Sequence, residues 1–428
     1  MDTNGYNWGF RAAGDLDLDG PVATLPNPEP QPMATASPFM RAGDLLDVVD
    51  GKHAETKGQQ WDDFSLEGRK SITIGRKAGC DLVADRAYLS AEHAKITTEK
   101  GGHFVTDCGS AAGTYVNGAK ITGKVHLKER DQISMGDCNY IYSAGRLVFA
   151  KNDADTTRSV LRKMDPGRRP VVLRADIKTK QVKNNNGAGM KELIRDIHLD
   201  VKEGTLVAML GTAGAGKSTV MNCMNGMDLL GVQGSVNYRG VDLVHNFEQM
   251  KYLIGSVPQE KIFHPAFTPE EEFTQAAMLR LPGDTSMKEI QNRVNKTLEM
   301  LSMSGVRKNR NSKLSGGEKT RVNVGIELVA DRDFLCLDEP DQGLSPNYKH
   351  ELFTILQHLA HDYGKTVVSI IHDVSEIDMF DQVIMLAKAG GVGRLAFSGS
   401  PADARDYFGA DIRDAYALLE RTPEKFIR

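Results

Sequence analysis

The nine residues GTAGAGKST, Gly211 to Thr219, limit what this chain can fold into more than any other feature. They follow an apolar run, LVAML, and lead into STVMNCMNGM, which reads as a helix. That is the strand, loop and helix context in which G-x-x-x-x-G-K-[ST] holds phosphate. The glycines let successive backbone N–H groups wrap an anion. Lys217 reaches the β and γ phosphates as a point charge, and Ser218 offers a hydroxyl to Mg²⁺. The expected phosphate cradle is therefore Gly211, Thr212, Ala213, Gly214, Ala215, Gly216, Lys217, Ser218 and Thr219.

From about Pro170 onward the chain alternates strands with helices, the α/β pattern. KEIQNRVNKTLEML places Ile290, Val294, Leu298 and Leu301 on one helical face. FLCLDEP and TVVSIIHD are apolar strands that end in charged residues, and in open α/β sheets ligands gather at those carboxyl ends. Asp338 is expected to hold magnesium and Glu339 to orient or deprotonate a water. Gln259 in GSVPQE and His372 in SIIHD are candidates for metal or γ-phosphate contact. A second anion-binding design lies far downstream. KLSGGEKTR puts Ser315, Gly316 and Gly317 at the start of a helix, where exposed amides favour an anion.

The remainder of the chain has a different texture. Residues 1–62, which include NPEPQPMATASPF, read as a disordered tail. DLDLDG within it imitates the start of a calcium loop, but Pro26 stands where the bidentate Glu belongs, which rejects calcium. Residues 63–148 carry short alternating runs bounded by Gly, Asp or Asn, the signature of an antiparallel β-sandwich. Residues 149–169 read as a charged linker and 170–428 as the α/β unit. A net charge of −4 argues against a nucleic-acid surface. Five cysteines without CxxC spacing fit a reducing compartment and no structural zinc. MDTNGYNWGF lacks a basic start followed by an apolar run, so no signal peptide is expected, and no apolar run reaches bilayer length.

The order GTAGAGKST, VPQE, LSGGE, LCLDEP, SIIHD resembles that of ATP-binding cassette (ABC) ATPases. The resemblance implies that Ser315, Gly316 and Gly317 close over the ATP held by a second cassette, head to tail. It also implies ATP and Mg²⁺ as cofactors, with metal contacts from Ser218, Gln259 and Asp338 and catalytic roles for Glu339, His372 and Gln259. VPQEKIFHPAFTPEEEFTQAAMLRLP and TRVNVGIELVADRDFLCLDEP are similar to the G-subfamily, or White-type, cassettes. Those cassettes normally share a chain with a membrane domain of the ABC-2 export type. Two departures stand out. DQGLS has Ser345 where the family carries Asp, and Val182 occupies the expected place of an adenine-stacking aromatic.

ITIGRKAGCD, LSAEHAKI and GTYVNGAKI resemble the forkhead-associated (FHA) fold, a phosphothreonine reader. The resemblance gives phosphate contacts to Arg76 and Ser90, and shaping roles to His93, Asn117 and Gly118. Ala111 and Ala112 replace the hydroxyl residue and asparagine of the family. Thr24, Thr35, Thr156 and Thr157 are available as phosphosites.

The expectation is thus an ATP-hydrolysing subunit of an ABC-2 type exporter. It would act as a cassette dimer at the cytoplasmic face of the plasma membrane, with a separate permease. The FHA domain would read a threonine-phosphorylated partner or answer a Ser/Thr kinase. The alternatives are a soluble ATP-driven switch and a phosphopeptide-binding scaffold without transport.

Overall fold

Burial alternates along the strands of the N-terminal unit, and that alternation builds two facing sheets. A computed structural model of the chain describes residues 42–52, 61–150, 161–183 and 189–427. One sheet runs in the order Leu82–Val83, Ser71–Gly75, Ala94–Glu99, Gly102–Asp107, Val125–His126. The other runs Trp61–Ser65, Arg146–Ala150, Cys138–Ser143, Gln132–Met135, Tyr115–Val116, Ala119–Lys120. Ile96 stands opposite Ile72 on one side and Val105 on the other, and all three are buried between the sheets. This is the expected sandwich, although the short pairing of Ser71–Gly75 with Leu82–Val83 is parallel.

The C-terminal unit is built on a ten-stranded sheet. The phosphate-loop strand Leu206–Gly211 lies between Gln382–Ala389 and Thr366–Ile370, parallel to both. Phe334–Asp338 and then Ile254–Val257 continue the parallel set. These strands are buried almost end to end, because helices cover both faces. Their parallel sense brings Gly211, Asp338 and the residues after Ile370 to one edge. The long strands Val171–Lys183 and Met190–Lys202 pair antiparallel beyond it.

Helix Met287–Met300 starts at Ser286 with a capping box to Glu289 and buries Ile290, Val294 and Leu298, as the sequence pattern requires. Leu301 is buried just beyond its end. Helix Pro269–Arg280 has the same kind of start, Thr268 with Glu271.

The structure adds order at both margins of the sandwich. Within the segment read as tail, Ala42–Val49 forms a helix, and Leu45 is buried against Ile141 and Val148. The apolar residues of AGDLLDVV fall on one face, a signal hidden beside the Pro-, Ala- and Ser-rich stretch before it. The sandwich begins at Trp61 rather than 63. In the linker, residues 161–163 are helical and Leu161 is buried. DLDLDG and Thr24, Thr35, Thr156 and Thr157 lie outside the described residues.

The two units meet along a buried polar seam. Asp137 of the sandwich accepts from Arg86 Nε and Nη2, each at 3.3 Å, and also from Tyr88 and from Arg239 of the α/β unit. Gln249 Nε2 donates to the carbonyl of Gly136 at 2.9 Å. Tyr252 donates its hydroxyl to the carbonyl of Ala111 at 2.8 Å, and its ring stacks on Tyr88.

Candidate nucleotide site

Two glycines of the loop are required by the space around them. At Gly216 the backbone is left-handed, with φ of 85°, and a Cβ would stand 2.6 Å from Ile194 Cγ2. At Gly211 a Cβ would stand 2.5 Å from the carbonyl oxygen of Leu386. The loop then enters helix Lys217–Met224. Lys217 Nζ donates to the carbonyls of Gly211, at 2.9 Å, and Thr212, at 3.5 Å. Its ammonium is thus folded over the loop where phosphate oxygens would replace those carbonyls. Burial pulls its pKa down, while Glu339 and Asp338 pull it up.

Asp338 ends its strand beside the phosphate loop, close enough to Ser218 for that hydroxyl to lower its pKa. Burial and the neighbouring Glu339 charge raise its pKa, against the opposing influence of Ser218 and Lys217. A carboxyl so crowded favours a cation beside it. Ser218, Asp338 and Gln259 supply the oxygen donors that a hard cation takes, so the residues fit Mg²⁺. Among the described residues no group of three His, Cys, Asp or Glu forms a metal cage. Magnesium shared between one carboxylate and substrate phosphates needs none.

Glu339 follows with φ of 46°, a left-handed conformation unusual for a residue with a side chain. Its backbone N–H is tied to the Ile370 carbonyl at 3.1 Å. Its Oε2 accepts from Gln259 Nε2 at 2.8 Å and from Gln342 Nε2 at 3.1 Å. His372 Nε2 lies 2.6 Å from its Oε1. The predicted set of Lys217, Ser218, Gln259, Asp338, Glu339 and His372 is therefore gathered at one sheet edge. Gln342 was not foreseen, although it sits in the same DQGLS stretch as Ser345. Ser345 caps helix Pro346–His361 without a side-chain bond. Tyr416 was not foreseen either: its hydroxyl accepts from the N–H of Gly211 at 3.0 Å.

Ser315 stands apart from that set. It is the N-cap of helix Gly316–Leu328, in a reciprocal capping box with Glu318. Gly316 is exposed, and Gly317 is buried beside Tyr348. Among the described residues no hydrogen bond joins 315–317 to the loop 211–219. Val182 is half-buried and faces Lys191 across its ladder.

In the sandwich, Arg76 follows the strand Ser71–Gly75, and its Nε donates to the Leu89 carbonyl at 3.0 Å. Ser90 is buried, and its Oγ accepts from Ala111 N at 3.1 Å. His93 is buried and shapes the loops, with Nδ1 accepting from Ser90 N and Nε2 3.2 Å from the Gly113 carbonyl. Burial pulls its pKa down. Asn117, with φ of 52°, pairs with Asp131 and Gln132.

Family models match both units. The family model "ABC transporter" matches residues 194–342, and the model "FHA domain" matches residues 72–136. The chain carries an ABC transporter ATPase domain and an FHA domain. An ABC transporter ATP-binding/permease protein of Mycobacterium tuberculosis is 31% identical over 355 residues, covering 83% of this chain and 38% of that protein. ABC transporter G family member 26 of Arabidopsis thaliana is 30% identical over 53% of this chain and 33% of its own length. Protein white of Drosophila melanogaster is 30% identical over 52% and 33%. The chain thus spans about a third to two fifths of the length of these relatives. The expected kinship with G-family cassettes is borne out, and no helix among the described residues is long and apolar enough to cross a membrane.

Proposed function

We propose that this ABC cassette hydrolyses ATP to drive an ABC-2 type membrane exporter, pairing with a second cassette and acting on a membrane permease domain at the cytoplasmic face of the membrane. The observation that carries the reading is the Glu339 carboxylate, held between Gln259 and His372 and adjoining Asp338. In the proposed reaction a water oxygen attacks the γ phosphorus as Glu339 accepts its proton. The bond to the bridging oxygen breaks, and ADP leaves with that electron pair. Lys217 and the amides of 211–219 hold the phosphates, while His372 and Gln259 fix the carboxylate. Magnesium, held by Ser218, Asp338 and Gln259, would neutralise phosphate charge. Ser315, Gly316 and Gly317 would complete the site of the second cassette. The FHA domain would read phosphothreonine through Arg76 and Ser90, on a partner that a Ser/Thr kinase has modified.

The test uses tagged Glu339→Gln with Mg-ATP, purified from detergent-solubilised membranes of the source cell. A polytopic membrane protein recovered at stoichiometric yield is the expected result. Recovery of a closed dimer only from the soluble fraction would replace transport with a soluble ATP-driven switch.

A further inference from the structure

Arg76 already has anionic partners, and they come from the cassette. The turn between helices Pro269–Arg280 and Met287–Met300 presents Asp284, and Glu289 follows in the next helix. Arg76 Nη2 lies 3.2 Å from Asp284 Oδ1, and Arg76 Nη1 donates to Glu289 Oε1. The other oxygen of Asp284 accepts from the N–H of Ala91, next to Ser90, at 2.6 Å. The other oxygen of Glu289 accepts from the N–H and hydroxyl of Ser286, each at 2.8 Å. Thr285 Oγ1 sits 3.4 Å from Arg76 Nη2. The Arg76 side chain is left only 7% exposed.

Two carboxylates carry the charge of one phosphate dianion. They meet the guanidinium with two acceptors and also take a loop amide, which is what an arginine site offers a phosphate. The helix cap at Ser286 holds Glu289 in place beforehand. The neighbouring loop is engaged as well, since Tyr252 of the cassette takes the carbonyl of Ala111. The loop in which Ala111 and Ala112 replace the family's donors therefore faces the cassette.

We propose that Asp284 and Glu289 are an internal ligand of the FHA pocket, a carboxylate pair in the place of phosphothreonine, so that a phosphopeptide and the docked arrangement compete for Arg76. This rests on the reading of the FHA domain as a phosphothreonine binder. The helices flanking the acidic turn share a core with helix Gly316–Leu328 through Phe273, Leu298, Val322 and Val324. Binding of a phosphopeptide would thus release a restraint on the part of the cassette that carries Ser315.

The test compares full-length chains by fluorescence anisotropy, with a degenerate phosphothreonine peptide pool and its unphosphorylated twin. Asp284→Asn with Glu289→Gln removes both charges and keeps an oxygen acceptor for the helix cap. That double variant is expected to bind the phosphorylated pool about tenfold tighter than wild type or more. Adding Arg76→Ala should abolish the gain. Hydrogen exchange should also quicken in the double variant at residues 88–92 and 284–289. Equal binding by wild type and double variant, both lost with Arg76→Ala, would overturn the internal ligand and leave the reader intact. No binding by any variant would overturn the reader, and the proposal with it. Unchanged exchange in both segments would overturn the docking directly.

Discussion

Arg239 Nη1 lies 3.1 Å from Asp333 Oδ2, and the same guanidinium holds Asp137 of the FHA domain and Glu203 of the cassette. Lys365 Nζ then joins Asp333, at 3.0 Å, to Asp331, at 2.7 Å. Asp333 immediately precedes the strand Phe334–Asp338, whose far end carries the magnesium and water-activating candidates. One alternating series of buried and half-buried charges therefore runs from Arg86 in the sandwich to the foot of the strand Phe334–Asp338.

Removing one link should be costly. Asp137→Asn leaves Arg86 and Arg239 facing each other with no anion between them. Breaking a buried pair in this way costs about 3–5 kcal/mol. A urea denaturation series should report that loss, and a midpoint within error of wild type would show the seam to be energetically idle.

The same residue sets a pH dependence. Burial raises the Asp137 pKa, but Arg86 and Arg239 outweigh it and hold the carboxyl below 3.8. Its contribution is therefore full above the unfolded carboxylate range and is lost as pH falls through the lower folded value. Asp333 is also held low, by Lys365, Arg239 and Arg86 against its burial. Glu203 runs the other way, because burial raises its pKa, so its contribution fades as pH rises through the folded value. Below about pH 4 the stability of wild type should fall more steeply than that of Asp137→Asn. Parallel slopes in unfolding curves between pH 2 and 5 would exclude Asp137 as the source.

Glu339→Gln should separate binding from turnover. The amide still accepts from Gln259 but cannot take a proton from water. Phosphate release should drop by about 10²–10⁴-fold, the usual weight of a general base. Thermal stabilisation by Mg-ATP should persist, since Lys217 and the loop amides are untouched. Turnover within tenfold of wild type would remove Glu339 from the role of base.

A head-to-tail pair predicts complementation. Lys217→Ala should lose the response of melting temperature to Mg-ATP. Ser315→Arg should keep ATP binding but block the facing nucleotide, at a cost of about 1 kcal/mol from the lost cap. Each variant alone should be inactive. Mixed in equal amounts, heterodimers hold one site with both Lys217 and Ser315 intact, and hydrolysis should reappear. A mixture as inactive as its components would argue that each chain works alone.

Much of this site was legible because its chemistry is tied to backbone form. Lys217, Asp338 and His372 each follow an apolar strand, and parallel strands deliver their ends to one edge. Gln342 and Tyr416 were not legible. Neither lies in a spacing that dictates its contact, and Tyr416 reaches Gly211 across 205 positions of sequence. Arg76 could be matched to a phosphate contact from its place after SITIG, but nothing in GDTSMKE marks Asp284 or Glu289 as its partners. Docking between two folded units is written in surface shape, which local patterns do not carry.

Tyr416 offers the last test. Gly211 is buried, so its N–H needs a partner, and the phenol on helix Ile412–Arg421 supplies it. Burial and Glu420 raise the phenol pKa, while the bond from Gly211 lowers it. Tyr416→Phe keeps the ring and deletes only the acceptor. The first residue of the phosphate loop would then lose about 1 kcal/mol of support, or about fivefold in ATP affinity if the loop shifts to recover a partner. Tyr407→Phe is the control, because its hydroxyl bonds the carbonyl of Phe426 instead. Isothermal titration with a slowly hydrolysed ATP analogue should show weaker binding for Tyr416→Phe and not for Tyr407→Phe. Equal affinities across the three chains would mean that helix Ile412–Arg421 supports the fold without shaping the nucleotide loop.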